Sequence, residues 1–199
     1  MAVNIKVLIG SLSVAAIVSI TGGYALSQSN DSGSTAPVDD TVTITSNGVY
    51  SEPGLPLNGQ VEGDRLPAID LSDSDGNLIS TSDLLGQPLV INVWSSDCVP
   101  CQKELPAFAA MHAEFGDDVR FVGINSGRDS IAEAKSFAAK YGVNYESFKD
   151  PNGDFIAQLK VTALPYTLFI AADGTIVAQK GVALSQDTIR STINDALLS

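Results

Sequence analysis

From about residue 60 onward, the pattern of apolar and polar positions predicts strands that alternate with helices. Residues 88–94 form a nearly unbroken apolar run, which is typical of a buried central strand. Residues 99–115 then repeat apolar side chains at helical spacing on one face. Further along, the pattern predicts a strand over 119–124, a helix from the capping box at Ser130 to Gly142, a short helix over 154–160, strands over 166–171 and 175–180, and a terminal helix.

A hairpin is predicted ahead of the central strand. Asp75-Gly76 lies between two short apolar segments, 66–71 and 77–80, and this dipeptide favours a tight turn between antiparallel strands. Strands that alternate with helices and end in a second hairpin predict an α/β sandwich with a mixed sheet.

The N-terminal segment predicts export. Residues 7–20 carry no charge, and Lys6 supplies a positive flank. The apolar run extends to Leu26, which gives about 20 residues, close to the length of a membrane-spanning helix. Small residues at Ala25-Leu26-Ser27 are equally typical of a signal-peptide cleavage site. We therefore expect residues 1–26 to be a signal peptide or an N-terminal membrane anchor, with the remaining chain outside the cytoplasm in either case.

Residues 27–58 are rich in Ser, Thr, Asp, Gly and Pro. Such a composition cannot bury enough apolar surface to fold alone, so this segment is predicted to be a flexible linker. The folded domain is expected to span residues 59–199.

Charge and composition exclude several functions. The 199-residue chain has 23 acidic and 11 basic residues, a net charge of -12, which disfavours nucleic-acid partners. It contains two cysteines and one histidine. This excludes a four-cysteine zinc site, a disulfide scaffold and a multi-histidine metal centre, so no metal is expected.

The two cysteines, Cys98 and Cys101, directly follow the predicted central strand and open a helix. If Cys98 is the N-cap, the backbone N–H of Cys101 can reach its sulfur, and the helix dipole lowers the pKa of Cys98. Cys101, one turn along, is then placed to attack a mixed disulfide formed at Cys98. Pro100 fits the first helical turn, where its missing N–H costs nothing. The alternative is a pair of structural thiols or a passive disulfide.

Residues 94–106, WSSDCVPCQKELP, resemble the active-site segment of thioredoxin-like proteins, closest to the exported thiol–disulfide oxidoreductases of the TlpA/ResA type. Residues 64–87 are similar to the N-terminal hairpin of that group, and residues 129–160 to its central insertion. The resemblance implies a thioredoxin-like three-layer sandwich with a mixed central sheet, an N-terminal β-hairpin and a central α-helical insertion. It also implies a redox-active disulfide in place of a dissociable cofactor.

The resemblance assigns roles to further residues. Glu104 is expected to exchange a proton with Cys101, although a lysine-paired surface position remains the alternative. Leu164 and Pro165 match the cis-proline loop that receives substrate. Trp94 matches a tryptophan beneath the active site, and we assign it to the substrate-binding residues together with Leu164 and Pro165. The expected partners are protein thiols and disulfides, with apocytochrome c as one candidate, and an upstream membrane electron donor.

Asp97 departs from the family pattern, which usually has an aromatic residue before the first cysteine. A carboxylate there opposes the helix dipole with a comparable magnitude, so Asp97 and Pro100 are the residues expected to tune the pKa of Cys98. A less stable thiolate favours a reductant over an oxidant.

Two other functions stay open. A thiol peroxidase would carry a PxxxTxxC pattern; Ser95 fits it, but Ile91 occupies the proline position. A redox-inert binding module on the same fold is the third alternative, which insulin reduction distinguishes from an oxidoreductase.

Overall fold

The computed structural model describes residues 58–127 and 129–199. The predicted signal or anchor segment and all of the predicted linker except Asn58 lie outside the described residues. Within the described ranges, every helix is too short or too polar to cross a membrane.

A seven-stranded mixed sheet forms the centre of the domain, with the order β2-β1-β5-β4-β3-β6-β7. Strands β3, β4 and β5 are parallel, whereas β6, β7 and the β1–β2 hairpin run antiparallel to their neighbours. The strand bounds are β1 (Asp70–Ser72), β2 (Leu78–Ser80), β3 (Leu89–Trp94), β4 (Arg120–Asn125), β5 (Glu146–Lys149), β6 (Tyr166–Ile170) and β7 (Ile176–Lys180).

Helices cover both faces of the sheet. They are α1 (Val99–Phe115), α2 (Ile131–Lys140), α3 (Asp154–Gln158) and α4 (Gln186–Ala196), and a 3-10 turn spans Thr81–Leu84. Helices α1, α2 and α4 pack on one face, and α3 and the 3-10 turn pack on the other. The predicted three-layer thioredoxin-like sandwich, with its N-terminal hairpin and helical insertion, is confirmed.

Local sequence signals account for where the elements begin. Ser130 caps α2 through a complete capping box with Glu133, as the sequence predicts. Helix α1 spans the predicted residues, and its buried side chains include Cys101, Leu105 and Phe108. Strand β5 was not predicted, because its four residues are half-buried or exposed and show no apolar run.

The topology brings three chain segments to one edge of the sheet. Strand β3 lies between β4, which runs parallel to it, and β6, which runs antiparallel. The carboxyl ends of β3 and β4 therefore meet the start of β6. The segments at that edge are the turn 95–98, the loop after Asn125 and the loop 161–165.

Candidate active site

Cys98 and Cys101 form a disulfide at the start of α1. Cys98 is the N-cap residue, as the spacing predicts, and the backbone N–H of Cys101 donates to its Sγ at 3.2 Å. Cys98 is partly exposed, whereas Cys101 has no exposed surface. The two sulfurs are therefore chemically unequal: an external thiol or disulfide can reach Cys98 but not Cys101.

The turn before Cys98 is held by its own polar groups. The Ser95 hydroxyl donates to Asp97 Oδ1 at 2.6 Å, and the backbone N–H of Cys98 donates to the Ser95 carbonyl. Asp97 is exposed, and Val99 and Pro100 beside the disulfide are also exposed. The mouth of the site thus presents one carboxylate and two apolar side chains.

Glu104 lies one turn after Cys101 and is 1% exposed. Its carboxylate accepts hydrogen bonds from Asn92 Nδ2 at 2.7 Å and from the backbone N–H of Leu184 at 3.0 Å. Burial raises the pKa of Glu104 to about 7, although both hydrogen bonds act to lower it. The surface alternative is therefore excluded for Glu104. A carboxyl group that titrates near neutrality, next to the buried cysteine, is suited to proton exchange.

Trp94 packs beneath the disulfide in a cluster with Cys101 and Leu105. Its ring stacks on that of Phe137, a residue of α2, with ring centroids 5.3 Å apart. Trp94 is 1% exposed, so its contacts are with the core rather than with an incoming chain. It supports the disulfide from below.

A row of residues without apolar side chains crosses the face of the sheet that α1 covers. Thr167, Asn92, Gly123 and Ser147 are successive register partners on β6, β3, β4 and β5. A Cβ on Gly123 would lie 3.0 Å from both Ser147 Oγ and Trp94 Nε1. The row places the Asn92 amide against Glu104 and leaves room for the tryptophan ring over β4.

The loop 161–165 brings the start of β6 to the disulfide. The Leu164–Pro165 peptide bond is cis. Pro165 is buried, and Leu164 packs against the cluster that contains Trp94 and Cys101, as does Cys98. The structure therefore brings together Cys98, Cys101 and the Leu164 loop, all three identified from the sequence.

Asp129 is a site-proximal carboxylate that sequence reasoning missed. It accepts hydrogen bonds from the backbone N–H and hydroxyl of Ser96 and from Asn125 Nδ2. Partial burial acts to raise the pKa of Asp129, but these hydrogen bonds and the Lys149 ammonium outweigh it and hold the pKa below its usual range. Lys149 also donates to the backbone carbonyls of Gly127 and Asp129. This network connects the turn before Cys98 to the loop after β4 and to β5, and so holds the turn in place.

A cleft of about 300 Å³ lies beside the turn before Cys98. Ser95 and Asp97 form one wall, Ser126 and Gly127 another, and the loop from Thr162 to Leu164 a third. The cleft lies between the turn before Cys98 and the cis-proline loop. An extended chain that approaches the disulfide could occupy it.

Comparison with known proteins identifies thiol-disulfide oxidoreductases as relatives of this chain. Residues 62–179 match the model of the AhpC/TSA family. The thiol-disulfide oxidoreductase ResA of Bacillus subtilis is 31% identical over 134 residues, which are 67% of this chain and 74% of that protein.

Two solved structures share the fold. A secreted Mycobacterium tuberculosis disulfide oxidoreductase, homologous to E. coli DsbE, is 28% identical with a TM-score of 0.58 and covers 63% of this chain and 94% of its own. A thiol:disulfide interchange protein DsbE from Chlorobium tepidum is 23% identical with a TM-score of 0.61, covering 67% and 95%.

Proposed function

The chain belongs to the AhpC/TSA family and is a thiol–disulfide oxidoreductase of the ResA type, and on that premise we propose that it reduces protein disulfides outside the cytoplasm. The observation that carries the proposal is the inequality of the two sulfurs, one partly exposed at a helix N-terminus and one buried beside a carboxyl group.

In the first step, the Cys98 thiolate of the reduced protein attacks one sulfur of a substrate disulfide. A mixed disulfide forms, and the first substrate thiolate leaves and takes a proton from water. Cys98 is suited to this step because its sulfur is at the N-cap and accepts the Cys101 N–H, an arrangement that stabilises a thiolate.

In the second step, Cys101 attacks Cys98 Sγ, releases the second substrate thiolate and closes the disulfide. Cys101 must first lose its proton, and Glu104 lies one turn away on the same buried face of α1. A carboxyl group with a pKa near 7 can accept that proton and later return it. The net reaction converts one protein disulfide and one enzyme dithiol into one protein dithiol and one enzyme disulfide.

The substrate chain is received at the loop 161–165. Within the described part of the chain, the backbone N–H and C=O of Leu164 have no hydrogen-bond partner. Such groups can pair with an extended segment in the manner of an added strand. We therefore assign substrate pairing to Leu164, with the buried Pro165 directly before strand β6.

We infer the direction of electron flow from the charge that lines the cleft. Among its described lining residues, Asp97 carries the only charge, and that charge opposes a thiolate on Cys98. A less stable thiolate makes the reduced form less favoured, which makes the protein a better reductant. In cells the oxidised enzyme then requires a dithiol donor of lower potential, and we assign this role to a membrane electron donor.

The setting is proposed from the N-terminal sequence and from the relatives. The uncharged run over 7–20 supports export, and the Mycobacterium tuberculosis relative is described as secreted. Apocytochrome c is the protein substrate that the resemblance to the TlpA/ResA type favours, with disulfides of other exported proteins as the broader class.

A thiol peroxidase is less well supported. Its pattern would need proline in place of Ile91, and Ile91 is buried in the middle of β3, paired to β4 and β6. We therefore place the chemistry in disulfide exchange.

Reduction of insulin disulfides, with dithiothreitol as electron source, tests the activity. We expect the wild type to accelerate it and Cys98→Ser to abolish the acceleration. Equilibration with glutathione should give a potential nearer to about -270 mV, as in thioredoxin, than to about -120 mV, as in DsbA. A value close to the latter would contradict a reductant.

Location can be tested with the native thiols, since the chain has only two cysteines. A membrane-impermeant maleimide, added to intact reduced cells, should label Cys98 if the domain is outside the cytoplasmic membrane. Labelling that requires cell lysis would contradict export.

A further inference from the structure

The side chain of Asn58 is bound to the backbone of the substrate-facing loop. Its Oδ1 accepts the backbone N–H groups of Thr162 and Ala163 at 2.8 and 2.9 Å, and its Nδ2 donates to the Ala163 carbonyl at 3.2 Å. Asn58 is 8% exposed. The Thr162 hydroxyl also donates to Asn58 Oδ1, at 3.5 Å. One amide side chain thus makes four hydrogen bonds to two consecutive residues, immediately before Leu164.

The segment that carries Asn58 is itself fixed at close range. The backbone N–H of Gly59 donates to the Lys160 carbonyl at 3.0 Å, and Gln179 Nε2 donates to the Gly59 carbonyl at 3.0 Å. A Cβ on Gly59 would lie 2.8 Å from the Leu159 carbonyl oxygen. Glycine therefore permits the close approach that lets Asn58 reach the loop.

We propose that Asn58 is a positioning residue, which holds the backbone of residues 162–163 so that Leu164 presents its N–H and C=O to a substrate chain. The proposal rests on the proposed function, in which this loop receives protein substrates. Ordering a loop before binding removes a conformational-entropy cost that the substrate would otherwise bear. Asn58 touches neither cysteine nor Glu104 through any hydrogen bond, so its effect is on substrate binding rather than on the chemistry of the sulfurs.

The experiment compares two electron acceptors in the full chain. Insulin offers an extended polypeptide that can pair with the loop, whereas oxidised glutathione is small and reaches Cys98 without it. For Asn58→Ala we expect KM for insulin to rise roughly 5- to 20-fold with kcat changed less than about twofold, since all four side-chain hydrogen bonds to the loop are lost. The rate with oxidised glutathione should stay within about twofold of the wild type.

Two further variants sharpen the result. Asn58→Asp keeps an acceptor for the two N–H groups and loses only the donor to Ala163, so its KM for insulin should lie between those of the wild type and Asn58→Ala. Asn77→Ala is the matched control, because Asn77 makes a comparable side-chain contact, to Asp73, in the exposed β1–β2 turn. It should leave both acceptors unaffected.

The outcomes separate this proposal from the proposed function. If the wild type does not reduce insulin, the proposed function fails. If the wild type is active and Asn58→Ala has an unchanged KM for insulin, or loses activity toward both acceptors equally, positioning by Asn58 is overturned. A selective rise in KM for insulin, with partial recovery in Asn58→Asp, supports it.

Discussion

Replacing Glu104 by glutamine removes the buried carboxyl group while nearly preserving its shape. The wild-type group is 1% exposed, and burial raises its pKa from an ordinary value of 4.5 to about 7. The native state therefore binds this proton more tightly than the unfolded state. As pH rises from 4.5 through 7, ionisation of the buried group lowers the free energy of unfolding of the wild type, and the glutamine variant lacks this loss.

The magnitude follows from the size of the pKa shift. At about 1.4 kcal/mol per pKa unit, the full penalty above pH 7 is about 3 kcal/mol, of which less than about 1 kcal/mol is already present at pH 5. Glutamine also places an amide N–H where Glu104 accepts the Leu184 N–H, at a cost of about 1–3 kcal/mol that does not depend on pH. The difference in free energy of unfolding between the two proteins should therefore change by about 2–3 kcal/mol between pH 5 and pH 8, in favour of the variant at pH 8.

Urea unfolding of the disulfide-bonded wild type and Glu104→Gln at pH 5 and pH 8 measures this change directly. Other titrating groups are common to both proteins and cancel in the comparison. A change below about 1 kcal/mol, or one of opposite sign, would show that the carboxyl group is not held neutral by burial. The proposed proton exchange with Cys101 would then lose its basis.

Three shorter predictions follow from the same site. In the reduced protein, Cys98→Ser should lose rapid alkylation by iodoacetamide at pH 7 and Cys101→Ser should keep it, because Cys101 has no exposed surface; equal labelling would contradict the assigned roles. Asp97→Asn should raise the alkylation rate of Cys98 at pH 7 roughly 3- to 10-fold by removing repulsion of the thiolate, and an unchanged rate would remove Asp97 from the tuning of Cys98. Gly123→Ala should lower the free energy of unfolding by about 1–3 kcal/mol, because the new methyl group meets Ser147 Oγ and Trp94 Nε1 at 3.0 Å; Ser147→Ala in the same chain should restore part of it, and full stability of the single variant would refute the tight contact.

The fold was predictable because its signals are local. The apolar run of β3, the capping box at Ser130 and the turn at Asp75-Gly76 each determine an element without reference to distant residues. Strand β5 could not be found in this way. It is held by pairing with β4 and β1 rather than by an apolar pattern of its own.

The residues of the candidate active site likewise fall into those that local sequence signals predict and those that they do not. Cys98, Cys101 and Glu104 share one helix, so their relation follows from helical spacing. Asn58 and Asp129 reach the site through hydrogen bonds to residues distant in sequence or across a loop. Asn58 is the last residue of the predicted polar linker, and Asp129 only precedes a helix cap, so neither stands out in the sequence.

The row formed by Thr167, Asn92, Gly123 and Ser147 also specifies how the strands align. A slip of β4 by one residue would turn its apolar side chains to the wrong face, but a slip of two keeps every side chain on its own face. Such a slip would bring Phe121 or Asn125 to the place of Gly123, where even a methyl group would lie 3.0 Å from Trp94 Nε1. We infer that the missing side chain rejects the shifted pairings that hydrophobicity alone would accept. The row that includes Asn92, the hydrogen-bond donor to Glu104, thus also favours the native alignment of the sheet.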